Sequence, residues 1–155
     1  MRGLLKAYLL DSPTKEWISR QHKTWPKGDR YIHQPERLGM TIAYGEMPDE
    51  ALALVGTIIQ LKTDRIIYGE MTSFAICGLA ESEMSAQIHN IRSQMPIHPK
   101  PLHMTLGWAD GGAPAQAGDE CAKFWRDVRA VDLAPADYCQ KTLTATIEFQ
   151  NFEAT

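Results

Sequence analysis

A nine-residue phrase is written twice in this chain. Leu38-Gly39-Met40-Thr41-Ile42-Ala43-Tyr44-Gly45-Glu46 and Leu102-His103-Met104-Thr105-Leu106-Gly107-Trp108-Ala109-Asp110 agree position by position in identity or chemical type, except that Gly39 stands where the second copy has His103. Solenoids repeat whole supersecondary units of roughly 20–50 residues. A repeat of one strand's length instead implies a pseudo-two-fold protein whose halves each donate a strand to a shared site.

Side chains on a strand alternate faces, so the repeat sorts its residues into two sets. Gly39 and Thr41 share one face, and so do His103 and Thr105. Leu38, Met40, Ile42 and Tyr44 take the other face of the first copy; Leu102, Met104, Leu106 and Trp108 take that of the second. The apolar set reads as core, which assigns Tyr44 and Trp108 to packing rather than to a ligand. The polar set has a chemistry: threonine hydroxyls donate to phosphate oxygens, and an imidazole two residues away exchanges a proton near neutral pH. Two such strands beside one cleft suit phosphodiester chemistry without a metal.

Composition narrows the partners. The 155 residues, 44% hydrophobic and 23% charged, fit a single domain over 1–155 with a substantial core. A net charge of -3 excludes a broad duplex-binding surface but permits a small anionic ligand in a local basic pocket. Cys77, Cys121 and Cys139 form no Cys-x-x-Cys pair and read as reduced thiols of a cytoplasmic protein. No signal-like start and no apolar run of about 18 residues argue for secretion or membrane insertion. His22, His33, His89 and His98 show no metal-like pairing, and neither metal nor cofactor is expected.

Along the chain, residues 3–10 read as a strand with Leu5, Ala7 and Leu9 on one face and Lys6 and Tyr8 on the other. Ser12-Pro13 opens a helix that runs to about Trp25, where Pro26 stops it. The segment from Pro26 to Pro35 is a loop. A short helix follows Pro48-Asp49-Glu50, and residues 57–62 and 65–78 read as strands separated by a turn at Thr63-Asp64. Residues 82–95 make a helix with Met84, Ile88, Ile91 and Met95 as its buried stripe. A glycine-rich connector from Gly111 leads to a helix near 120–130, and residues 142–149 form the last strand. This order favours an α+β arrangement of antiparallel sheets with a cleft between two lobes.

On Thr41 with Ile42, and on His103, Thr105 and Leu106, the chain resembles the 2H phosphoesterases, in which two His-x-Thr strands lie roughly sixty residues apart. The resemblance implies a two-lobed, pseudo-two-fold α+β fold, with antiparallel sheets around a central cleft and helices outside. It implies one histidine as general base, the other as general acid, and RNA-like phosphodiesters as substrates. Within the family the chain looks most like the small phage enzymes that degrade the cyclic oligonucleotide messengers of bacterial CBASS immunity. A ribose 2'-hydroxyl would attack the neighbouring 3'-5' phosphodiester while the threonines hold its non-bridging oxygens.

Gly39 departs from that pattern, because it is the position of the missing first histidine. Losing a general acid or base costs about 10²- to 10⁴-fold. Three accounts of Gly39 are open: a substitution that inactivates the enzyme and traps its substrate, which is the favoured one; a natural binding protein derived from the enzyme; or rescue by His33 or His98. On the first, the impaired chain still binds a cyclic di- or trinucleotide through Thr41, His103 and Thr105, and Gly39→His restores cleavage. The alternatives are a non-catalytic cyclic-nucleotide sponge and a phosphodiesterase for linear RNA or 2',3'-cyclic phosphate ends. By parity Lys6 and Tyr8 face the same cleft, as do Thr144 and Glu148 if the last strand joins that sheet. Tyr8, Trp25 or Tyr31 could stack a base, and Lys27 and Lys100 could add positive charge.

Overall fold

Strand β1 (Arg2–Leu9) sets the pattern of the sheet: Leu5 and Ala7 are fully buried, while Lys6 and Tyr8 alternate to the opposite face. The computed structural model describes residues 1–10, 15–24, 28–80, 83–95, 101–124, 132–135 and 143–152. After β1 come α1 (Lys15–Thr24), a 3-10 turn at Gly28–Arg30, β2 (Gly39–Glu46), α2 (Asp49–Leu52), β3 (Ile58–Tyr68) and β4 (Thr72–Leu79). They are followed by α3 (Glu83–Gln94), β5 (His103–Trp108), α4 (Gln116–Phe124), β6 (Asp132–Pro135) and β7 (Leu143–Asn151).

The strands are antiparallel neighbours in the order β4-β5-β2-β1-β7-β3, and β3 also pairs with β4. Six strands therefore close into a barrel, with β6 attached to the far half of β3. This corrects the expected two-lobed α+β fold: the molecule is mostly sheet, with a few short helices around it. The cause is β3. Its residues Ile58–Leu61 pair with β7, and its length from Leu61 to Tyr68 pairs with β4, so one strand joins both edges. The expected turn at Thr63-Asp64 is instead a β-bulge between Thr63 and Arg65, which bends the strand and lets the ring close. The hairpin turn comes later, at Gly69 to Met71, where the Gly69 N–H donates to the Thr72 carbonyl at 2.8 Å.

The core fills the barrel. Leu5, Met40, Leu61, Ala75, Met104 and Ile147, one from each closing strand, are fully buried, and α3 closes over them with Ile88 and Ile91. Each of the Leu, Ile and Met side chains contributes about 1.5–3 kcal/mol of burial. A second cluster lies outside the ring, where Ala117 and Cys121 of α4 pack on Ile67, Phe74 and Ile76. Helix α4 starts at Gln116, ahead of the expected Glu120; the Gln116 side chain accepts from the Ala113 N–H at 2.7 Å and anchors its first turn. The expected start of α1 at Ser12 and the later part of the helix near 120–130 lie outside the described residues.

Both repeat strands carry a bulge at the same place. In the β1–β2 ladder Lys6 faces Thr41 and Leu5 faces Ala43, which leaves Ile42 as the extra residue. In the β4–β5 ladder Phe74 faces Thr105 and Ser73 faces Gly107, which leaves Leu106 extra. Ile42 and Leu106 occupy the same position of the repeat. An extra residue swaps faces for everything beyond it. Tyr44 thus emerges 51% exposed, which corrects its assignment to the core. Trp108 is half-buried and stacks on His33 at 6.0 Å between ring centroids.

Candidate functional site

Strands β2 and β5 meet with Met40 opposite Met104. One antiparallel step to either side sets Thr41 across from His103 and Gly39 across from Thr105. The neighbouring ladders extend these into two rows on the outer face of the barrel. The first runs Glu148, Lys6, Thr41, His103, Ile76; the second runs Thr146, Tyr8, Gly39, Thr105, Phe74. Adjacent strands lie about 4.8 Å apart, which places Lys6 and His103 roughly 10 Å apart at the backbone with Thr41 between them.

A cavity of about 430 Å³ lies over these rows, and Lys6, Gly39, Thr41, His103 and Thr105 all line it. Pro101 and the start of α4, at Pro114, Ala115 and Gly118, wall one side. Arg37 and Arg92 add positive charge, and among the described residues no Asp or Glu lines the cavity. At the far end, beyond the Ile42 bulge, stand Leu4, Tyr44 and Phe152; the two rings meet edge to face at 5.8 Å. The cavity is cationic and hydroxyl-rich in the middle and aromatic at one end.

Each polar residue is held by something identifiable. The His103 Nδ1–H donates to the Pro101 carbonyl at 3.2 Å, so in the neutral ring the lone pair is on Nε2. Phe74, itself fixed by α4, packs edge-on to the imidazole at 5.7 Å. Arg92 reaches from α3 to donate to the Ile42 carbonyl at 2.8 Å and so clamps the bulge; burial lowers its pKa from the ordinary value. Lys6 is half-buried, and desolvation lowers the pKa of its ammonium.

Glu148 faces Lys6 across the ladder but is taken by Arg37, whose Nη2 donates to it at 2.5 Å. That hydrogen bond holds the Glu148 carboxyl below its ordinary range and raises the Arg37 guanidinium. Arg37 also lies 3.9 Å from the centre of the Tyr8 ring. Tyr8 in turn lies across Gly39: a Cβ at position 39 would sit 2.8 Å from Tyr8 Cδ1 and 2.9 Å from Lys6 Cε. Two sequence-based roles change as a result. Glu148 and Tyr8 buttress the groove from beside it instead of lining it, and an imidazole at position 39 has no room unless Tyr8 and Lys6 both move.

Other candidates are placed elsewhere. Tyr31 is 2% exposed, packed with His22 and Tyr68, and its hydroxyl donates to the Gly69 carbonyl, so it cannot stack a base. His33 is exposed beside Asp110 at 3.3 Å and does not line the cavity. Trp25, Lys27, His98 and Lys100 lie outside the described residues. Conversely, sequence reasoning missed Tyr44, Phe152, Arg37 and Arg92. Tyr44 was hidden by the bulge, and the arginines lie on a loop and a helix, where no strand parity applies. Among the described residues no three His, Cys, Asp or Glu side chains gather as a metal site, and no helix is long and apolar enough to cross a membrane. No protein-family model and no curated protein matches the chain.

Proposed function

We propose that the groove binds a small phosphodiester carrying a nucleobase, of the cyclic di- or trinucleotide class, and supports cleavage of its 3'-5' bond without a metal. The observation that carries the reading is the row Lys6, Thr41, His103 on the floor of one cationic cavity. The threonine hydroxyls donate to the non-bridging oxygens, and the Lys6 ammonium adds positive charge beside them, as at other phosphate sites. His103 Nε2 has the lone pair to accept the proton of a ribose 2'-hydroxyl. Tyr44 and Phe152 offer a π-face to a base at the aromatic end. The proposal stands on these residues and not on the fold, which departs from the two-lobed form.

Calorimetry with a 3',3'-cyclic dinucleotide in excess chelator tests it. Binding is expected for the unaltered chain and weaker binding, by about tenfold, for Thr41→Val, since a hydrogen bond to a charged group contributes about 1.5–3 kcal/mol. Absence of binding to every cyclic di- and trinucleotide tried removes the reading.

A further inference from the structure

We infer that Lys6 is the general acid of the groove, the proton donor that the chain uses where a second imidazole is absent. The inference rests on the phosphodiester reading above and names its missing participant. Lys6 and His103 flank Thr41 in one row, so a phosphorus held over the Thr41 hydroxyl has an imidazole on one side and an ammonium on the other. Glu148, the carboxylate directly across from Lys6, is engaged by Arg37, and among the described residues Lys6 makes no ion pair. Its Nζ lies 5.4 Å from the centre of the Tyr8 ring.

Among the described residues, the charged and titratable groups around Lys6 are Glu148 on β7, Tyr8 on β1, Arg37 before β2, Arg92 on α3 and His103 on β5. The two guanidiniums do not give up protons near neutral pH. A lysine ammonium does so more readily once burial has lowered its pKa, which is the direction here. The Cβ that a histidine at position 39 would need lies 2.9 Å from Lys6 Cε, so the lysine side chain already fills the space of that group.

The step balances. The 2'-oxygen bonds to phosphorus as its proton passes to His103 Nε2; the bond from phosphorus to the 5'-oxygen breaks with its electron pair going to that oxygen, which takes a proton from Lys6 Nζ. A 2',3'-cyclic phosphate and a 5'-hydroxyl result.

The experiment compares the unaltered chain, Lys6→Arg and Lys6→Met on a cyclic dinucleotide and on its analogue with sulfur in the 5'-bridging position, whose thiolate leaves without a proton. The unaltered chain is expected to cleave both. Lys6→Arg, which keeps the charge, is expected to bind the oxygen substrate about as well, to lose about 10²- to 10⁴-fold in kcat on it, and to regain most of that on the sulfur analogue. The alkaline limb of the kcat profile should vanish with it, and melting curves check that both variants fold. Equal losses on the two substrates, or an unchanged alkaline limb, overturn the donor role and leave the binding reading intact. Tight binding by the unaltered chain with no turnover from pH 5 to 9 also overturns it and makes the protein a sponge, whereas failure to bind at all is a failure of the functional reading itself.

Discussion

Gly39 is explained by its neighbours. The Tyr8 ring opposite it covers a backbone with no Cβ to cover itself, the arrangement by which an aromatic residue compensates a strand glycine. Gly39→Ala therefore crowds the Tyr8 ring and is expected to cost about 1–3 kcal/mol, read as a lower urea midpoint with an unchanged slope. A midpoint equal to that of the unaltered chain contradicts the Tyr8 packing. Gly39→His carries the same clash plus a ring, so restored cleavage is no longer its expected outcome. His22 makes a second residue-scale argument. It is 5% exposed and bonded to Ser73 Oγ at 2.7 Å, and burial lowers its pKa to about 4 from the ordinary 6.5. Between those values the unfolded chain binds a proton that the folded chain refuses, so stability is full above pH 6.5 and falls as pH drops toward 4. The loss is at most on the order of 3 kcal/mol, and Tm measured from pH 7 to pH 4 should decline less steeply in His22→Leu. The shared face of Thr41, His103, Thr105 and Lys6 was legible because strand alternation places each of them on the polar side of its strand. Tyr31 was not legible, since a loop residue carries no periodicity to say that it packs among His22 and Tyr68.

At the scale of elements, the paired bulges decide what the groove can hold. Without the extra residue at Ile42, Tyr44 would share the face of Met40, as simple alternation expects; with it, Tyr44 stands beside Phe152 at the mouth of the cavity. Base stacking on such a ring contributes about 1–3 kcal/mol. Tyr44→Ala is therefore expected to weaken cyclic-dinucleotide binding about tenfold by calorimetry, and Tyr44→Phe to leave it nearly unchanged; equal losses in the two variants would falsify stacking in favour of a hydroxyl contact. The bulges also mark where sequence reading stops. Strands β1, β2, β5 and β7 and helix α3 were readable from alternation and helical spacing, close to their observed bounds. A bulge leaves no mark in the alternation before it and inverts the reading after it. In β3 the same device produced the opposite error, because the polar Thr63-Asp64-Arg65 stretch looks like a turn and is a bend within one strand. Whether sheet edges meet depends on a strand reaching from β7 to β4, which is a long-range fact with no local signature, so the closed barrel was misread as two lobes.

For the whole molecule, the groove crosses the thinnest seam of the barrel. Strand β1 holds β2 from Arg2 to Tyr8 and β7 from Gly3 to Leu9, whereas β2 and β5 are joined through the single pair Met40 and Met104. The residues flanking that pair are Gly39, Thr41, His103 and Thr105, so a phosphate held there touches both sides of the seam. Local opening draws on the regions with the fewest backbone hydrogen bonds, which places the easiest opening of the barrel between β2 and β5. A ligand that bridges the seam binds the closed form and not the open one, and so stabilises by mass action. At a free concentration of 100 times Kd the gain is about 2.7 kcal/mol, which for a chain of this size corresponds to a Tm rise of roughly 5–10 °C. Hydrogen exchange adds the location. Met40 and Met104 turn their own N–H groups to β1 and β4, so the amides that cross the seam are those of Thr41 and Thr105. These should exchange faster than those of Leu5 and Ala7 in the free protein, and saturating 3',3'-cyclic dinucleotide should slow the first pair while leaving the second little changed. Uniform protection across all six strands would mean that the ligand stabilises the barrel from elsewhere, and the seam would then have no part in binding.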